Sequence, residues 1–235
     1  MGSGVIELQP RLDDTEQRLE WKIASMLGSG VMPGAKPSPA PPASFSYEPP
    51  TALIIWEDAN GVFGPVDRAT FFATADIPTV DTVVLDNQGV TSVTAPQALP
   101  ALVSFSSQYN STDSLSFVGC ANLTNIHVDF SGLSSLTVSN CPVLFAIAAS
   151  LNYALTTVTV AGLVTLNLLN LNNCSLTVQS VNTILSQLVA LGNTGGQLLL
   201  QAQTPAAPPS VGPPNGIVAK AALLAETPAW AVVTD

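Results

Sequence analysis

The feature that most constrains this chain is a recurring pattern of apolar residues between about 112 and 174. The template L-x-x-L-x-L-x-x-N/C fits Thr112, Leu115, Phe117 and Cys120, then Leu133, Leu136, Val138 and Cys141. It fits again at Leu155, Val158, Val160 and Leu163, and at Leu166, Leu169, Leu171 and Cys174. The first three copies are spaced by 21 and 22 residues, and the fourth follows after 11. A second register, through Leu163, Leu166 and Leu168, also fits the last copy. Alternation at two-residue spacing sends apolar side chains to one face of a short strand. A repeat of 20–29 residues is one coil of a solenoid, and no coil buries its apolar face alone. The polar slot turns the chain and satisfies backbone groups inside the coil.

All three cysteines, Cys120, Cys141 and Cys174, fall in that slot. Their separations of 21 and 33 match no zinc spacing, and three thiols make no even disulfide set. A structural ladder of small apolar thiols accounts for them. The strand positions facing away from the core are Ser114, Ser116, Ser135, Thr137, Thr157 and Thr159, with Asn170 and Asn172 as next members. They predict an uncharged hydroxyl and amide stripe, either a recognition face for a neutral partner or simply a soluble sheet face.

Elements flank the repeats on both sides. Residues 52–56 (ALIIW) and 83–85 read as strands, with a turn at Asn60-Gly61. Residues 51–90 are expected to form a β-rich cap, and 91–235 the solenoid with its C-terminal cap. Residues 176–191 read as an amphipathic helix ended by Gly192, and 197–201 as a strand. Residues 216–226 read as a second helix, and 230–234 as a closing strand. Before the cap, residues 33–50 hold seven prolines, and this segment is expected to be a linker. Residues 1–32 carry the pattern of an amphipathic helix, with Leu8, Leu12, Leu19, Ile23, Met26 and Leu27 as its apolar stripe. It is expected to oligomerise or to anchor the chain on a partner. The predicted fold class is thus an α/β repeat: a leucine-rich-repeat-like solenoid of short parallel strands after an N-terminal helix and a Pro-rich linker.

Composition narrows function. The net charge is −10, and only Asp113 and Asp129 are charged between Asn87 and Thr204. No basic cluster exists to contact nucleic-acid phosphates or an anionic bilayer. No apolar run reaches membrane-spanning length, and the N-terminal residues do not read as a signal peptide. His127 is the only imidazole. Asp129 shares its face of an extended segment, but no nucleophile motif surrounds the pair. Asp76, Asp81 and Asp86, and the Asp58–Gly61 turn, complete no calcium-loop pattern. Asn110, Asn122 and Asn173 head glycosylation triplets that chance explains in so Ser/Thr-rich a chain. No cofactor, metal or catalytic residue is expected.

Residues 90–235 resemble bacterial and bacteriophage leucine-rich-repeat proteins of the surface-protein type. The likeness is carried by the repeats and by the ending LTVQSVNTILSQLVALGN, GGQLLLQ, AKAALLAETPAWAVVTD. Thr227-Pro228-Ala229 departs from the glycine usual before the tryptophan at position 230. The resemblance implies a non-enzymatic module displayed on a virion, as a fibre, decoration or tail appendage. The alternative it leaves open is a bacterial cell-surface adhesin or neutral-glycan binder. It also implies a homo-oligomer, a trimer by family habit. Other virion or surface proteins would bind through the N-terminal helix and linker, and a host-surface glycan or protein is a candidate partner. Neither nucleic acid nor membrane insertion is implied.

Overall fold

A computed structural model describes residues 44–235. The expected N-terminal helix, with Leu8, Leu12, Leu19, Ile23, Met26 and Leu27, and most of the Pro-rich linker lie outside these residues. The chain divides into two units at Pro41/Pro42, and the unit from Pro42 onward is described below.

The unit opens with β1 (Ser46–Glu48), β2 (Ile54–Asp58), β3 (Gly61–Val66) and helix α1 (Arg68–Thr74). β1 lies within the segment expected to be linker. It pairs antiparallel with β5 (Ser92–Thr94), and Phe45 and Tyr47 are buried on either side of its start. Tail residues with large aromatic side chains are drawn into the core by the area they bury. β2 pairs antiparallel with β3 and with β4 (Thr82–Val84).

From β4 onward the chain coils as a parallel solenoid. Its main sheet stacks β4, β6 (Ser104–Ser106), β8 (Asn125–His127), β10 (Ala146–Ala148), β12 (Leu168–Asn170), β13 (Gln197–Leu200) and β14 (Ala231–Thr234). With β2 and β3 this sheet has nine strands. The first parallel strand therefore falls inside the stretch expected to be only a cap. A second, three-stranded parallel sheet stacks β7 (Ser114–Val118), β9 (Ser135–Ser139) and β11 (Thr157–Ala161). β5 packs beside β7 at its open end. Four successive turns thus have a strand on each side, which is a more β-rich coil than the expected α/β repeat.

The register is in step along the whole stack. Val83, Phe105, Ile126, Ile147, Leu169, Leu198 and Val232 are Cα partners in sequence along the nine-stranded sheet. Opposite them, Leu115, Leu136 and Val158 align, as do Phe117, Val138 and Val160. All but Val232 are buried. A one-residue slip would turn each column to solvent, so burial holds the register.

Both sheets use the same template, and this resolves the copy that follows after 11 residues. Leu166, Leu169, Leu171 and Cys174 belong to β12 in the main sheet, whereas the three earlier copies belong to β7, β9 and β11. The template recurs at about half the coil length, once on each side.

In the fifth turn a helix replaces the second strand. α2 (Val178–Leu191) caps its start with Thr177, whose hydroxyl accepts from the Ser180 amide at 3.1 Å. It ends at Gly192, left-handed at φ 71°. Val181, Ile184, Leu185 and Leu188 turn inward, and the helix packs on β11. α3 (Gly216–Ala225) takes the same place in the sixth turn and packs on α2 and β14. Trp230 closes the core here: its ring is buried and its Nε1 donates to Asn193 O at 2.7 Å. Gly196 lies flat against that ring, where a Cβ would come within 2.5 Å.

Candidate functional site: faces and corners of the solenoid

The corner after each main-sheet strand has a buried polar ladder. Its rungs are Asn110, Ser131, Asn152, Cys174 and Gln203, one per coil and all buried. Asn152 is the most fully used. Its Nδ2 donates to Val128 O at 2.8 Å and Ala149 O at 3.0 Å. Its Oδ1 accepts from the amides of Ser131 at 2.9 Å and Leu133 at 3.1 Å. Asn110 accepts from the Gln88 and Val90 amides and donates to Leu85 O, and Gln203 accepts from the Leu176 amide and donates to Leu171 O and Leu200 O. The Ser131 hydroxyl donates to Ser107 O, and Cys174 Sγ donates to Ala149 O at 3.4 Å. Turns leave backbone groups without ladder partners, and a buried amide side chain satisfies several at once.

Cys120 and Cys141 occupy the opposite corner, after the three-stranded sheet, where Cys141 Sγ donates to Ser139 O at 3.4 Å. The three thiols therefore share a template slot but form two groups. All are buried and free. Burial pushes Cys174 up to about 12, and Cys120 is raised by the neighbouring Cys141 and by burial, whereas Cys120 and nearby backbone groups bring Cys141 down to about 7. A thiol reacts as the thiolate, so it is complete burial, not its pKa, that shields Cys141. No cysteine should react with an aromatic disulfide reagent at pH 8 in the native protein, and all three should react in denaturant. Prompt titration of even one thiol in the native state would contradict this packing.

Ser114, Ser116, Ser135, Thr137, Thr157 and Thr159 lie together on the outer face of the three-stranded sheet, in register. None of these six hydroxyls has a hydrogen-bond partner among the described residues, whereas Ser106 of the other sheet donates to Asp86. Asn170 and Asn172 do not continue this stripe. They belong to the nine-stranded sheet, because β12 stacks on β10. Asn170 Oδ1 accepts from the Asn172 amide, and Asn172 Oδ1 from the Gln201 amide.

The outer margin of the nine-stranded sheet is internally bonded. Asp86 Oδ1 accepts from Ser106 Oγ at 2.6 Å and from the Gln108 amide at 2.8 Å. Asp129 Oδ1 accepts from the amide and hydroxyl of Ser150 at 2.7 and 2.6 Å. Asp129 is thus a brace between coils, and no hydrogen bond joins it to His127. Asp58 accepts from the Asn60 and Asp76 amides and from Trp56 Nε1. Burial opposes its ionisation, but these donors outweigh that and hold the carboxyl below its ordinary range. No group of three His, Cys, Asp or Glu side chains suited to a metal ion occurs among the described residues.

A feature not predicted from the sequence lies beside this margin. The residue before each ladder rung is left-handed (Tyr109, Phe130, Leu151, Asn173 and Ala202), as is Asn87 one coil earlier, with φ between 53° and 59°. Asparagine adopts this region readily, whereas a bulky residue is strained there, by roughly 1–2 kcal/mol. Tyr109 and Phe130 nevertheless occupy it with exposed rings, 57% and 36% accessible. They stack at 5.1 Å and 15°, and Tyr153 (62% accessible) meets Phe130 edge-on at 6.4 Å. The signal was the 21-residue spacing of two aromatics, each one position before a ladder slot. Comparison with protein-family models, with curated proteins and with solved structures finds no match.

Proposed function

We propose that this chain is a non-enzymatic structural and interaction protein. The solenoid is its displayed part, and the segment before residue 44 attaches it to an assembly. The observation that carries this reading is the face of the three-stranded sheet: six aligned hydroxyls without charge and without internal partners. Asp86 and Asp129 beside the other sheet bind Ser106 and Ser150 and brace neighbouring coils, whereas these six are left available to an outside partner.

The finer form of the proposal is a virion-associated, leucine-rich-repeat-bearing fibre, decoration or tail-appendage protein, assembled as a homo-oligomer. It rests on the resemblance of residues 90–235 and on the division of the chain at Pro41/Pro42. Immunogold labelling of particles from cells that produce the chain tests it. Label on particles is expected with the full chain and not with a chain lacking residues 1–43. That shortened chain should keep its thermal midpoint, because residues 44–235 carry a continuous buried core of their own. Label confined to the cell envelope would replace the virion reading with that of a surface adhesin. Unfolding of the shortened chain would overturn the division of roles.

A further inference from the structure

We propose that the aromatic ridge of Tyr109, Phe130 and Tyr153 is a binding site for an uncharged polysaccharide lying along the solenoid axis. The inference rests on the reading of the solenoid as an interaction module and adds a site and a ligand chemistry to it.

Three observations combine. First, the rings belong to successive coils, β6/β7, β8/β9 and β10/β11, and touch in series. A ridge of this kind runs parallel to the axis and matches an extended chain rather than a compact ligand. Second, Tyr109 and Phe130 sit where the backbone favours glycine or asparagine. The equivalent turns at Asn87 and Asn173 make the same backbone shape with the ordinary residue. The rings are exposed, so the core gains little from them. Strain held at an exposed position is the mark of a contact surface.

Third, the charge pattern selects the ligand. The described residues contain only Arg68 and Lys220 as side-chain cations. Arg68 is bound to Glu48 at 2.6 Å, and Lys220 to Thr234 Oγ1 at 2.8 Å, both in the terminal caps. Beside the ridge stand Asp86, Gln108 and Asp129, with no cation. An anionic glycan or a phosphate would meet only carboxylates there. A neutral sugar chain offers C–H surface to aromatic rings and hydroxyls to Gln108 and the two tyrosine hydroxyls. Rigid aromatic side chains bind such amphipathic surface at low entropic cost.

Affinity electrophoresis of the full-length protein tests this, in gels containing dextran, mannan, galactan, xylan or hydroxyethyl cellulose, with polygalacturonate as the anionic control. At least one neutral polymer should retard the protein, added salt should leave that retardation unchanged, and polygalacturonate should have no effect. Tyr109→Asn with Tyr153→Asn should weaken retardation about tenfold, the loss of two aromatic contacts. The same variant should keep the native thermal midpoint, since asparagine suits the backbone at 109. No retardation by any neutral polymer, or retardation unchanged in the double variant, overturns the proposal. If Thr137→Val abolishes retardation while the double variant does not, the hydroxyl face is the site; the ridge proposal then fails and the interaction-module reading survives. If sedimentation shows that the double variant alone becomes monomeric, the ridge is a contact between copies, and the proposal is equally overturned.

Discussion

Asn152→Ala is expected to remove about 3–5 kcal/mol of folding stability. The side chain is wholly buried and bridges three stretches of backbone. Alanine leaves the amides of Ser131 and Leu133, and the carbonyls of Val128 and Ala149, without their side-chain partner. An unsatisfied buried polar group costs roughly 1–3 kcal/mol, and at least two of these four have no second partner within reach. A domain of this size is stable by about 5–15 kcal/mol, so the variant stays folded but close to its limit. Urea denaturation with an unchanged slope would measure the loss. A loss under about 1 kcal/mol would show that water replaces the amide and that the ladder is not the brace described here.

Phe117→Ala is expected to cost a similar amount, about 3–5 kcal/mol, for a different reason. Phe117 comes from the three-stranded sheet and Phe105 from the nine-stranded one. Their rings meet edge to face at 5.1 Å and 68°, both fully buried. The pair therefore spans the coil and joins its two sides. Removing one ring leaves a cavity that the rigid stack above and below cannot close. Phe117→Leu should cost much less, about 1.5 kcal/mol or under, because it keeps most of the volume. A double-mutant cycle with Phe105 should give a coupling of about 0.5–1.5 kcal/mol. Equal losses for leucine and alanine at 117 would argue that ring packing, not filled volume, sets the stability here.

Much of the solenoid could be read from residue order. The apolar columns, the α2 and α3 helices and the closing strand are local patterns, and the structure places them within a residue or two of expectation. The register of the fourth repeat was legible only in part. The template records alternation followed by a turn, and that sequence of events is the same at either corner of the coil. It cannot distinguish one sheet from the other. Cys174 thus shares its slot with Cys141 but stands in the ladder of Asn152, and Asn170 and Asn172 face away from the Ser/Thr columns. The end of the Pro-rich segment was misread for the converse reason. Local composition argued for a linker, but Phe45 and Tyr47 bury enough apolar surface to bring β1 into the fold.

The candidate faces divide in the same way. Ser114 through Thr159 follow from two-residue alternation, so their common outward direction was already set by the strand. The aromatic ridge was not, because Tyr109, Phe130 and Tyr153 become neighbours only when successive coils stack and each turn adopts the left-handed conformation. Amino-acid order by itself determined that this chain coils, which side chains enter its core and which elements close it, since those depend on spacing along a strand or helix. Tertiary structure alone decided which sheet each repeat joins, which polar groups are used up in bracing coils and which remain open to a partner, since those depend on contacts between residues a full coil apart.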